Sequence, residues 1–259
     1  MHRQATIRRP AVLAACVFIF GSALLLQACA GKPPAWSFPV IQPSSTTTPA
    51  GTIPPAPLVV ELDTFHVAPA DAKLIALPPR LAQLDAALDA ADLQAEPDIF
   101  IGTSRDVEIS RQALALEQRA SGPTDFTAAA ALYRQAAIDG YAPAQFRLGV
   151  LTAAGKGVAQ DDYTADRWYL LAAEQYHRKA QVKLGLAYVQ GKGVAADPTQ
   201  ARLWIGRASD LGDPSGLYAE SQLYRFGIGG PIDTSEADRY CRIAARGGLD
   251  LAKTDECGG

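Results

Sequence analysis

Few residues of this chain could carry chemistry, and their spacing decides what each can do. Two stretches, Gly149 to Lys156 and Gly185 to Lys192, look like phosphate-binding loops. Such a loop needs four residues between its glycines and a Ser or Thr after its lysine to hold the metal. Here five residues intervene, and Gly157 and Gly193 stand where the hydroxyl belongs. Asp161-Asp162 is a carboxylate pair, but a helix cap explains Asp161 better than acid–base work does. Once the amino-terminal segment is set aside, His66 and His177 are the remaining histidines. They lie far apart, with no His-Glu-x-x-His or paired-cysteine motif between them, so neither a nucleophile–base pair nor a zinc site is drawn. His177 reads as a surface residue at a turn. The sequence therefore assigns no catalytic residue, no metal ligand and no cofactor.

The four cysteines divide by position. Arg3, Arg8 and Arg9 precede an apolar run from Ala11 to Leu26, too short to span a bilayer, and the run ends in Leu26-Gln27-Ala28-Cys29. This is the build of a secretory signal. Its last four residues resemble the lipobox of bacterial lipoproteins, with a bulkier Gln27 than that motif favours. The resemblance implies that residues 1–28 are removed, that Cys29 carries lipid, and that Ala30 favours delivery to the outer membrane; the periplasmic face is the expected one, although the sequence does not fix which face carries the anchor. Cys16 leaves with the signal. Cys241 and Cys257 remain, and in an oxidising compartment they read as a disulfide, with two inert buried thiols as the alternative.

Loss of three arginines leaves 21 basic against 27 acidic residues, a net charge of −6. No basic stripe with interleaved aromatics exists, which argues against nucleic acid as a partner. Residues 29–57 are dense in Pro, Ser and Thr and read as an extended tether, because they cannot bury enough apolar surface to offset ordering entropy. Residues 58–105 form a lead-in, with an extended segment at 58–67. A helix follows Pro79, with Leu81, Leu84 and Leu88 on one face, expected to cap the first repeat.

A 36-residue repeat positions everything after that. Gly155 and Gly157 recur as Gly191 and Gly193, then as Gly227 and Gly229. Asp161 recurs as Asp197 and Asp233, Trp168 as Trp204 and Tyr240, and Ala172 as Ala208 and Ala244. A degenerate first unit follows by the same spacing, with Asp125 as its cap. Units 106–141, 142–177, 178–213 and 214–249 result, with 250–259 as a carboxy-terminal cap. The spacing predicts an all-α solenoid of about four helix–turn–helix units. Small residues such as Gly149 and Gly185 allow close helix approach, the Gly-x-Gly turn supplies positive φ, and the aspartates cap the second helices. Glu236 stands three residues after Asp233, as in a capping box.

The strings Ala144…Leu148-Gly149…Gly155-Lys156-Gly157-Val158 and Ala180…Leu184-Gly185…Gly191-Lys192-Gly193-Val194 resemble Sel1-like repeats, relatives of tetratricopeptide repeats. In the fourth unit Glu220-Ser221 replaces Leu-Gly and Gly230 replaces the valine. The resemblance implies protein–protein contacts. Some lipid-anchored members help assemble exopolysaccharide secretion machinery, and cysteine-rich relatives bind beta-lactams, but those carry a cysteine pair in every repeat. By analogy with tetratricopeptide stacks, the first helix of each unit lines a groove. Counting from the conserved glycine, its exposed positions are Phe146, Val150 and Ala153, then Val182, Leu186 and Val189, then Tyr218, Gln222 and Arg225. The first unit adds Ser110, Leu114 and Glu117. Such a groove suits a peptide or helix of an envelope protein. The alternatives are burial of these residues between helices, a cell-wall or glycan-binding module, which would want more exposed aromatics than Phe146, Tyr188 and Tyr218, and, less favoured, a hydrolase. Partner identity and oligomeric state are not encoded legibly.

Overall fold

Each later unit's second helix starts where the sequence places its aspartate, because a carboxylate there accepts the backbone N–H groups that a helix start leaves orphaned. Asp161 accepts from Thr164 N, Asp197 from Thr199 N and Gln200 N, and Asp233 from Glu236 N. Glu236 itself turns to Arg239. The first unit differs: its second helix starts at Pro123 behind Gly122, and Asp125, inside the first turn, reaches back to Ser121 N at 2.9 Å. Asp125 is thus not the capping residue expected.

The computed structural model describes residues 75–89, 102–254 and 257. The expected leader 1–28, tether 29–57, extended segment 58–67 and lipid acceptor Cys29 lie outside the described residues. The repeats comprise helical hairpins: α2 (Ser104–Gln118) with α3 (Pro123–Ile138), α4 (Ala142–Ala154) with α5 (Asp162–Glu174), α6 (Arg178–Gln190) with α7 (Pro198–Asp210), and α8 (Pro214–Phe226) with α9 (Thr234–Arg246). Each hairpin packs on the next through its second helix. The short α10 (Asp250–Thr254) lies on α9. This is an alpha solenoid.

Close approach within a hairpin occurs at the conserved small residue. A Cβ at Gly149 would meet the Tyr169 ring at 2.6 Å, and one at Gly185 would meet Ile205 at the same distance. The second turn glycine faces the preceding unit instead. Gly193 has φ +73°, and a Cβ there would lie 2.6 Å from the Asp162 carbonyl oxygen at the start of α5. Trp168 and Trp204 are both buried, as are Ala172 and Ala208 four residues after them. A repeated hydrogen bond ties unit to unit: Gln145 Nε2 donates to the Ala137 carbonyl and Gln181 Nε2 to the Ala173 carbonyl, both at 3.1 Å.

The fourth unit's departure has a physical cause. Where Val194 is buried in the third unit, the fourth has Gly230, and a Cβ there would land on the Arg202 guanidinium. That guanidinium lies 4.2 Å over the Tyr224 ring. Cys241, fully buried in α9, forms a disulfide with Cys257, fastening the segment after α10 to the last complete helix.

Candidate functional site

Lys183 and Arg147 occupy equivalent places in neighbouring repeats, 36 residues apart and two before the conserved glycine. No acidic residue stands three or four positions away from either on its own helix. Both side chains are nonetheless buried, at 7% and 6% exposure, so their charges must be met from elsewhere. Arg147 finds its acid on α2, and Lys183 finds both of its acids on α1 (Pro79–Asp89), which packs on α6 and α8, two first helices that also touch each other. Lys183 Nζ donates to Asp85 at 2.6 Å and to Asp89 at 2.7 Å. Arg147 Nη1 donates to the Asp89 carbonyl at 2.8 Å, and its Nη2 pairs with Glu117. Glu117 also accepts from the Tyr133 hydroxyl at 3.1 Å.

Helix α1 brings its apolar stripe to the same place. Leu81, Leu84 and Leu88 are buried and belong to one cluster with Val150, Tyr169, Leu186 and Tyr218. Removing each leucine from water contributes about 2 kcal/mol. The stripe was legible in the sequence, but its destination was not: α1 lies on the third and fourth units rather than capping the first. At its leading edge Ile75 N donates to the Gln190 carbonyl at 2.8 Å. This face of the first helices is therefore a helix-binding face, with α1 seated on it.

The electrostatics follow from the packing. Burial works to lower the Lys183 pKa, but Asp85 and Asp89 outweigh it and hold it above the ordinary lysine value. Beneath lies Asp166, 4% exposed, with an Oδ2 that accepts no hydrogen bond. Burial first, and then the charge of Asp162, push its pKa well above the usual carboxylate range, against the opposing pull of Lys192 and Lys183. The Tyr169 ring lies 5.8 Å from Lys183 Nζ, and its hydroxyl is also raised by burial.

The register expected from sequence is corrected by this arrangement. Phe146, Val150, Val182, Leu186, Val189, Tyr218 and Gln222 do not line an open groove; all seven are buried. Phe146 sits 4.8 Å from the His177 ring and 5.9 Å from that of Tyr169, in the interior between helices. Arg225 is half-buried and pairs with Asp238 at 3.1 Å. Ser110 and Leu114 are buried, Ala153 is half-buried, and Glu117 belongs to the Arg147 pair. One helical residue turns the face by about 100°, so the functional position is two before the glycine, not three. His177 is likewise not on the surface: it is fully buried, and its Nδ1 caps α6 by accepting from Ala180 N at 3.2 Å. Phe146, Tyr188 and Tyr218, the aromatics a sugar site on this face would use, are all buried.

Among the described residues no group of three His, Cys, Asp or Glu could hold a metal, and no helix is long and apolar enough to cross a membrane.

Comparison with known proteins agrees with the geometry. The family described as Sel1 repeat matches residues 113–141, 142–177, 178–213 and 216–249. A solved Sel1 repeat protein from Oxalobacter formigenes is 28% identical with a TM-score of 0.52, the match covering 57% of this chain and 43% of that one. A protective antigen of uropathogenic Escherichia coli strains, displaying an SLR fold, is also 28% identical with a TM-score of 0.52, over 66% of this chain and 34% of that one. The chain thus spans less than half the length of either. No curated protein matches.

Proposed function

Because the chain belongs to the Sel1 repeat family, whose members are generally non-catalytic scaffolds for protein–protein contact, we propose that it is a lipid-anchored envelope adaptor. In this reading Cys29 holds it to the outer membrane, facing the periplasm, and residues 29–57 carry the folded part away from the lipid. The face built by α4, α6 and α8 receives an amphipathic helix of a partner protein, in the assembly of a secretion or exopolysaccharide complex. The observation that carries the reading is α1: this face takes up a helix by burying three leucines and pairing its carboxylates with Lys183. Helix-in-groove recognition uses this combination of apolar anchors at helical spacing and flanking charge.

The test is crosslinking in the native envelope, followed by capture and mass spectrometry, for the natural protein and for Lys183→Glu. One defined envelope protein, reduced in the variant, is expected. Capture of cell wall or glycan alone, equal in both, would overturn the adaptor reading. The anchor is tested separately with an alkynyl fatty acid: label should enter the natural chain and be absent from Cys29→Ser, and label in neither would remove the lipid anchor.

A further inference from the structure

Three features of α1 bear on what the face is selective for. The helix is 11 residues long, and isolated helices of that length are marginal in water. Its last residue is Asp89 and its last turn has no basic residue, so its charge opposes its own dipole. The groups that correct this belong to the repeats. Arg147 satisfies the terminal carbonyl of Asp89, and Lys183 bridges the two carboxylates four residues apart. The helical state of α1 therefore depends on the face that receives it. Residues 90–103 join it to α2.

We infer that Arg147 and Lys183 form a clamp for the carboxy-terminal end of an amphipathic helix with carboxylates four residues apart, and that α1 holds this place until a partner helix of the same pattern displaces it. The pattern is that of α1: apolar residues at the positions of Leu81, Leu84 and Leu88, and acids at those of Asp85 and Asp89. The inference rests on the adaptor reading above and adds the ligand's chemistry and its competition with α1. The clamp spans two repeats and ends with them. The fourth unit has Ala219 at the equivalent place, and in the first unit Arg111 is exposed and pairs with Glu108. The opened face stays competent, because Lys183 and Arg147 regain water once α1 has left. A tethered helix competes at an effective concentration on the order of millimolar, so its release should tighten binding of a free helix at least about tenfold.

The test uses a fluorescent peptide copying residues 75–89, titrated into the mature full-length chain. Leu84→Glu/Leu88→Glu, which expels α1, should bind the peptide at least about tenfold more tightly than the natural protein. Adding Lys183→Glu should abolish that gain, and a peptide with lysine in place of both aspartates should restore it. Should the double leucine variant fold poorly, Lys183→Glu alone serves, since it should prefer the lysine peptide where the natural protein prefers the aspartate peptide. No binding to any form, or binding indifferent to the charge at 183 and in the peptide, would overturn the inference. Envelope capture with a charge-indifferent peptide would sink the clamp alone. Charge-matched peptide binding without envelope capture would sink the adaptor role alone.

Discussion

Alanine at Gly193 should destabilise the protein by about 2–4 kcal/mol, against about 1 kcal/mol for alanine at Gly212. The two glycines share a backbone conformation, φ +73°, so an L side chain incurs the same left-handed cost at both. Part of that cost is offset by the smaller entropy of an unfolded chain carrying alanine. Their surroundings differ. Nothing lies within 4 Å of a Cβ at 212, whereas at 193 it would stand 2.6 Å from the Asp162 carbonyl oxygen and overlap the Asp166 carboxylate. The carbonyl belongs to the first turn of α5 and cannot rotate aside, so the unit must shift, adding an overpacking cost of about 1–3 kcal/mol. Gly191, at φ +71° with Ala196 Cβ 3.1 Å away, should fall between them. Circular dichroism melts of the three variants should drop by about 2–4 °C per kcal/mol. Equal melting of the 193 and 212 variants would refute the reasoning, because the contact between units would then not be where it is described.

Three further outcomes follow from the same packing. Burial, and then the charge of Asp162, raise the Asp166 pKa, so between its unfolded value near 3.8 and the higher folded value the folded state binds a proton that the unfolded state has released. Stability should therefore fall as pH rises from that value through the higher folded pKa, and Asp166→Asn should be more stable than the natural chain at pH 7, with a flatter profile in urea titrations. Gly230→Val, which restores the residue type of the other units, meets only the end of the Arg202 side chain and should cost no more than about 1 kcal/mol, the loss of the guanidinium's contact with the Tyr224 ring, and Arg202→Ala should remove that cost in a double-mutant cycle. Cys241→Ser opens a cross-link spanning 16 residues and should cost about 3 kcal/mol, with hydrogen exchange rising in α9 and α10 and little changed in α4 and α5.

The repeats are legible because their cause is local. A glycine needed for positive φ, a carboxylate at a helix start and a small residue at a helix crossing each constrain one position, and the constraint returns every 36 residues. The same logic makes the fourth unit readable only in part. Gly230 looks like decay of the pattern until Arg202, from the unit before, is seen filling the space. The site escaped for a different reason. Leu81, Leu84 and Leu88 mark an amphipathic helix, but their spacing does not say which of several apolar faces receives it. The groove positions counted three before the glycine fall one residue out of register, which turns a lining position into a core one, as at Phe146 and Val182, whereas Leu186, three residues after Lys183, shares its face. One signal was available: Arg147 and Lys183 sit at equivalent places in helices that contain no acidic residue. Charges so placed need partners from another segment: Asp85 and Asp89 meet Lys183 across more than 90 residues, and Glu117 meets Arg147 across 30.

The central claim is that this face is a receptor for a helix and that α1 occupies it in the free protein. Amide hydrogen exchange over residues 79–89, in the mature chain alone and with saturating captured partner, tests it most directly. The account predicts protection of α1 in the free protein and its loss when the partner binds, while residues 183–190 stay protected in both. Protection of α1 that persists with the partner bound would contradict it, because the partner would then be using another surface.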